Sequence, residues 1–227
     1  MSFYSLPNVG IYLDTFDPFI FQRIKQETSE MLKDFLTDPH ESKDLLRHYQ
    51  KKQEGYSKNY VLSNELISLI DKEILKLLVV YENKYQYFDK IFNFVAMLEN
   101  KKTKLSLERI WVNFQRRGEF LPQHNHSGIY SFVIWTTIPY TVDDEKDNIS
   151  NPDLIKNRTA NFEFSYVDAL GKITSYPIPA DKKFEGKICI FPAELQHQVY
   201  PFYSTDDIRI SLAGNYRLEI DDNTEDQ

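Results

Sequence analysis

Ile208-Arg209-Ile210-Ser211-Leu212 alternates apolar and polar side chains without a break. Side chains of an extended strand point alternately to its two faces, so Ile208, Ile210 and Leu212 line one face, and Arg209 and Ser211 the other. If the apolar set packs against a core outside the strand, Arg209 is forced inward. A buried guanidinium needs an anionic partner, and its planar fork suits a carboxylate. Two partners stay open at this point: an Asp or Glu of the chain itself, or a ligand.

Other β-type runs lead up to this one. From Leu105 onward the chain breaks into short runs at Glu108–Gln115, Ile129–Ile138, Asn161–Asp168, Lys172–Pro177, Lys187–Phe191, His197–Pro201 and Ile208–Leu218. Asp168-Ala169-Leu170-Gly171 reads as a hairpin turn between two of them. Seven short strands predict a sandwich or barrel. The polar stretch Val142–Thr159, with Asp143, Asp144, Glu145 and Asp147, reads as an inserted loop. Lys101, Lys102 and Lys104 read as a linker.

The first half reads as helical. Asp17-Pro18 has the form of an N-cap followed by proline at the first helical position, and Ile20, Ile24, Met31 and Phe35 follow at helical spacing. A second helix is expected from Ser63 or Asn64 to about Phe88, with Ile67, Ile70, Ile74, Leu77, Leu78 and Tyr81 on one broad face. Helices followed by strands predict an α+β fold with the N-terminal helices packed on one face of a β-core. The expected organisation is one domain over 1–227: mainly helical support over 1–104, the strand-rich core with the site over 105–218, and an acidic tail over 219–227.

Composition narrows the function classes. The chain has 227 residues, 41% of them hydrophobic and 15% aromatic, enough for a sizeable core. Its net charge of -7 gives no strong nucleic-acid signature, because non-specific binding of a phosphate backbone rests on basic groups. The lone Cys189 excludes an internal disulfide framework and fits a reducing compartment, so a cytoplasmic location is expected. Neither a signal peptide nor a membrane-spanning run is read in the sequence.

Three of the five histidines, His124, His126 and His197, stand where strands would bring them together. His124 and His126 lie two apart and would project to the same side of an extended segment, and His197 opens a later run, twelve residues before Arg209. Neutral imidazoles bind Fe(II), Zn(II), Cu(II) or Ni(II), and a catalytic centre keeps coordination positions open. Against this stands the plainer possibility that Pro122, Asn125, Ser127 and Gly128 make the pair part of a polar turn.

The layout Trp111-x-Asn113, Gly118-Glu119, His124-x-His126-Ser127-Gly128, Phe191-Pro192, His197, Arg209-Ile210-Ser211 and Asn215 resembles the Fe(II)/2-oxoglutarate-dependent dioxygenases, and in particular small oxygenases found in bacteria and tailed phages. The resemblance covers about Glu108 to Leu218. It implies a double-stranded β-helix (jelly-roll, cupin-like) core, with Fe(II) as cofactor and 2-oxoglutarate and O2 as cosubstrates. By the same resemblance His124, His126 and His197 would be the metal ligands. Arg209 would pair with the C5 carboxylate of 2-oxoglutarate, with Ser211 assisting. Asn113 would also contact the cosubstrate, and Tyr130 is open to two readings, a hydrogen-bond partner for a cosubstrate carboxylate or a structural aromatic.

One position departs from the pattern. The family's facial triad has two histidines and one carboxylate, and His126 stands in the carboxylate's place. Glu119 is the nearest alternative carboxylate, though its spacing from His124 does not match. The implied activity is oxidation of a C–H bond coupled to oxidative decarboxylation of 2-oxoglutarate. A three-histidine dioxygenase without 2-oxoglutarate and a noncatalytic jelly-roll protein are the alternatives. The substrate class (protein, nucleobase or small molecule) is not written in the sequence.

Overall fold

The computed structural model describes residues 9–37, 60–88, 102–146 and 158–221. His40, His48, most of the stretch read as an inserted loop, and the acidic tail beyond 221 lie outside the described residues. Helix α1 spans Pro18–Thr37 and is capped by Asp17, whose Oδ1 accepts from the backbone N of Ile20 at 2.9 Å. Helix α2 spans Asn64–Tyr85; the Ser63 hydroxyl caps its start and Gln86, at φ 48°, its end. Ile20, Ile24 and Phe35 of α1 and Ile70, Ile74, Leu78 and Tyr81 of α2 are buried as expected. Met31, Ile67 and Leu77 are only partly buried, and Leu66, outside the expected stripe, is fully so.

Nine strands follow the order β1 (Tyr12–Thr15), β2 (Lys102–Gln115), β3 (Leu121–His124), β4 (Tyr130–Thr137), β5 (Phe162–Val167), β6 (Ile173–Ile178), β7 (Lys187–Pro192), β8 (Gln196–Val199) and β9 (Arg209–Asp221). They form two antiparallel sheets, ordered β1-β7-β4-β9-β2 and β3-β8-β5-β6. All seven expected strands are present, and the Asp168–Gly171 turn closes the β5–β6 hairpin, with Gly171 at φ 76°. Three readings need correction. Strands β1 and β3 were not anticipated. Strand β2 begins within the lysine-rich segment read as a linker, because it pairs with β9 along its whole length. A short helix α3, Val142–Lys146, opens the stretch read as a loop; buried Glu145 ties it to the chain before β9 by accepting from the backbone N of Tyr203 and of Ser204, each at 2.9 Å.

Strand alternation sorts the larger sheet into two faces. Tyr130, Phe132 and Ile134 of β4, with Ile188 and Ile190 of β7 and Leu212 and Tyr216 of β9, pack against the helices. Val133 and Trp135, with Cys189 and Phe191, turn the other way and pack against Phe162 and Phe164 of the smaller sheet. Three phenols satisfy their polar ends in the helix layer. Tyr130 donates to Glu82, Tyr216 to Asp71 Oδ1 at 2.6 Å, and Tyr81 to the carbonyl of Gly10 at 2.8 Å. Among the described residues no helix is long and apolar enough to cross a membrane.

Strand β9 lies between β4 and β2, and Gly214 lets these three strands close up. A Cβ at Gly214 would fall 2.6 Å from the carbonyl oxygen of Arg109 and 2.5 Å from Phe132 Cζ, and the first of these is backbone that cannot rotate away. Gly214→Ala is expected to destabilise the chain by about 1–3 kcal/mol, the usual cost of overpacking. Urea denaturation would read this as a lower midpoint at unchanged slope; an unchanged midpoint would show that β2 and β9 can part at no cost.

Candidate metal centre

The pairing of β3 with β8 sets His124 directly opposite His197. His126 lies just past the end of β3, where its backbone N donates to the carbonyl of Ala193 at 2.9 Å. The ligating atoms of the three imidazoles all lie within 4.8 Å of one another. Among the described residues no Asp, Glu or Cys joins this group. Glu119 does not supply the missing carboxylate: it is buried on the cleft wall, where its Oε2 accepts from the backbone N of Arg116 at 2.8 Å.

Two of the rings are oriented by the backbone. His124 Nδ1 lies 2.7 Å from the carbonyl of Pro122, and His197 Nδ1 lies 2.9 Å from that of Leu195. A carbonyl oxygen only accepts, so Nδ1 carries the proton in both and each Nε2 keeps a lone pair for a metal. His197 is nearly buried and is walled by Phe162, Phe164 and Phe191, with ring centroids at 5.4, 6.2 and 5.0 Å. That desolvation pushes its pKa down to about 3, against the Leu195 hydrogen bond that works to raise it. Burial, followed by the charges of His124 and Arg109, holds His126 at about 4. Both rings are therefore neutral donors at physiological pH, which suits a divalent transition metal.

Arg209 shares the cleft with these histidines and is 3% exposed. As the alternation of β9 requires, it points away from the helix layer. Its Nη1 donates to Gln115 Oε1 at 3.2 Å, while Gln115 Nε2 donates to the carbonyl of Glu119 at 2.6 Å. Among the described residues Arg209 forms no ion pair with a carboxylate. Asn113 of β2 and Ser211 of β9 are direct register partners, and both line the same cleft of about 230 Å³.

Tyr130 does not reach this cleft, so its reading as a cosubstrate contact is corrected. It projects from the opposite face of β4, is fully buried among the helices and donates to Glu82. A different phenol, absent from the sequence reading, lies on the correct side. Tyr140, just after β4, is buried beside Arg209, and its hydroxyl has no hydrogen-bond partner of good geometry. Burial raises the Tyr140 pKa, and the Arg209 charge opposes that rise. Nothing in Ile138-Pro139-Tyr140 marks this position in advance, since an aromatic after a strand carries no period. Gln115, which braces Arg209, likewise reads in the sequence only as the end of a strand.

With this geometry in place, the chain can be compared with known proteins. Residues 109–215 match a family model described as "Putative 2OG-Fe(II) oxygenase". The matched stretch contains His124, His126, His197 and Arg209. The family works with Fe(II), 2-oxoglutarate and O2, and the three neutral imidazoles, two with Nε2 left free, fit such a metal. Among solved structures, AviO1 from Streptomyces viridochromogenes Tue57 is similar at a TM-score of 0.52 and 12% identity, over 92% of this chain and 89% of that one. A prolyl hydroxylase in complex with a hypoxia inducible factor oxygen degradation domain peptide fragment, from Trichoplax adhaerens, gives 0.50 and 11%, over 92% and 84%. At these identities the likeness is one of fold. No curated protein matches the chain.

The depressed imidazoles predict how the metal-free chain responds to acid. Unfolding returns His197 from about 3 toward its ordinary 6.5, so between those values the unfolded chain binds more protons than the folded one. Stability should be full above pH ~6.5 and fall as pH drops toward 3, by up to about 1.4 kcal/mol per pH unit from His197 alone. Urea midpoints at pH 7 and pH 5 measure this, and His197→Phe should flatten the difference.

Proposed function

We propose that this chain is an Fe(II)- and 2-oxoglutarate-dependent oxygenase that hydroxylates or otherwise oxidises a C–H bond of a primary substrate, with release of succinate and carbon dioxide. In this reading the two sheets are the halves of a double-stranded β-helix, and α1 and α2 support it as part of one domain. His124, His126 and His197 hold the metal. Arg209, with Ser211 and Asn113 nearby, receives the distal carboxylate of 2-oxoglutarate, and the Tyr140 hydroxyl is placed to donate alongside the guanidinium. Bound Fe(II) and 2-oxoglutarate supply the oxygen-activating chemistry.

A single observation carries this reading: a buried arginine without a carboxylate partner among the described residues faces the cleft that holds the three imidazoles. A guanidinium kept out of water and, among the described residues, held by neutral groups alone is poorly compensated, and a planar carboxylate answers it with two parallel hydrogen bonds. The chain's own residues then have definable tasks. Gln115 holds Arg209 in place from below. Phe162, Phe191 and Trp111 line the cleft and keep water from the metal, which strengthens each electrostatic contact inside. At about 230 Å³ the cleft falls below the roughly 300–1,000 Å³ of ordinary small-molecule pockets. It therefore suits a compact diacid, with the primary substrate inserting only its reacting group.

The lack of a carboxylate among the clustered ligands favours one second reading, a three-histidine dioxygenase that does not use 2-oxoglutarate. The two separate in one experiment. Anaerobic addition of Fe(II) and 2-oxoglutarate is expected to give the weak visible absorption of the chelate, and Arg209→Ala should weaken 2-oxoglutarate binding at least about thirtyfold, or about 2 kcal/mol. If iron binds and no such absorption develops, 2-oxoglutarate is not a cosubstrate. Catalysed oxygen uptake in the absence of 2-oxoglutarate, unchanged in Arg209→Ala, would establish the second reading.

A further inference from the structure

The three imidazoles are held unequally. His124 and His197 lie opposite each other on paired strands, with each Nδ1 bound to a backbone carbonyl. His126 lies beyond the strand end, and its ring makes no hydrogen bond to any described residue. It is positioned by packing, against Trp111 at 5.6 Å and against the other two rings at 5.1 and 5.0 Å. Carboxylates and carbonyls behind a ligating histidine orient the ring and raise its basicity, and losing one typically costs 10–100-fold in metal affinity. His126 is thus the weak arm of the centre.

Charge compounds this difference. All three donors are neutral, and the one buried cation sharing the cleft, Arg209, has no carboxylate paired with it among the described residues. A divalent metal entering here brings its charge to a group that no carboxylate joins among the described residues, since Glu119 on the cleft wall stands outside it and accepts from the backbone N of Arg116. A dianion that reaches both the metal and Arg209 supplies the offset all at once. We infer that the metal centre is completed by its cosubstrate: histidine at position 126 makes metal and 2-oxoglutarate depend on each other for tight binding, where a carboxylate at 126 would let the metal bind alone. The inference rests on the proposed function. By thermodynamic reciprocity, the factor by which 2-oxoglutarate tightens metal binding equals the factor by which metal tightens 2-oxoglutarate binding.

Mn(II), which does not oxidise under these conditions, is the probe. Its Kd is measured by calorimetry on the full chain, with and without saturating 2-oxoglutarate, for the parent, H126D and H126N. In the parent, 2-oxoglutarate should tighten Mn(II) at least about thirtyfold, within the upper range of known couplings. H126D should bind Mn(II) more tightly than the parent in the absence of 2-oxoglutarate and show a coupling at least fivefold smaller. H126N, uncharged like the parent, should weaken Mn(II) yet keep the large coupling. A parent coupling below fivefold overturns the inference without reference to any variant, as does an H126D coupling equal to the parent's. The failure of the underlying reading looks different: there 2-oxoglutarate would bind the parent no better than it binds Arg209→Ala, and the inference would fall with it.

Discussion

The placement of β9 between β4 and β2 is the constraint on which the rest depends. Its outward residues, Ile210, Leu212 and Tyr216, help build the cores beneath the helices, while its inward residues, Arg209 and Ser211, line the cleft. A strand's side chains repeat every two residues, so a slip of one position would exchange the sets. It would put a guanidinium under the helices and leucine and isoleucine in the cleft. Continuous pairing with β2 from Lys102 to Gln115, broken by one irregularity between Leu107 and Arg109, prevents that slip. Fold stability and the inward placement of Arg209 thus depend on the same register.

The centre itself is divided between the sheets. His124 and His197 come from the smaller sheet, and Arg209, Ser211 and Asn113 from the larger. Phe162, Phe164 and Phe191 pack together beside His197, so aromatic packing helps set the distance from the imidazoles to the guanidinium. Interiors at close-packed density transmit small changes of volume. A substitution among these rings would therefore act on the chemistry even though none of them carries a polar atom.

How much of this was legible follows from which signals are local. Alternation in Ile208–Leu212 correctly told which way Arg209 points, because one face is polar and the other is not. The same logic gives nothing at Tyr130, which was read by resemblance, since β4 is apolar on both faces: Phe132 and Ile134 meet the helices, Val133 and Trp135 the smaller sheet. A strand buried on both sides has no phase to read, and only the paired register shows that Tyr130 lies with Tyr216 and the helices. Strand β3 escaped because it is short, contains Pro122, and is matched to β8 only at Leu121 and His124. Tyr140 and Gln115 acquire meaning only when the fold carries them to Arg209.

Among the described residues the side chain that holds Arg209 is a neutral one, and Glu119, the carboxylate on the cleft wall, forms no ion pair with it. A carboxylate next to Arg209 would neutralise it, and a ligand anion would then have to displace an existing ion pair. Gln115 avoids that competition: its amide oxygen accepts one N–H from the guanidinium without cancelling the charge, and its nitrogen is tied to the Glu119 carbonyl. Breaking an established buried pair is costly, whereas adding a carboxylate to a guanidinium held by a neutral partner mainly loses the carboxylate's own hydration. Under the proposed function, imidazoles toward the metal and a neutral amide beside the arginine follow one rule: the protein supplies oriented donors and a cation, and the carboxylate that meets Arg209 comes from the ligand.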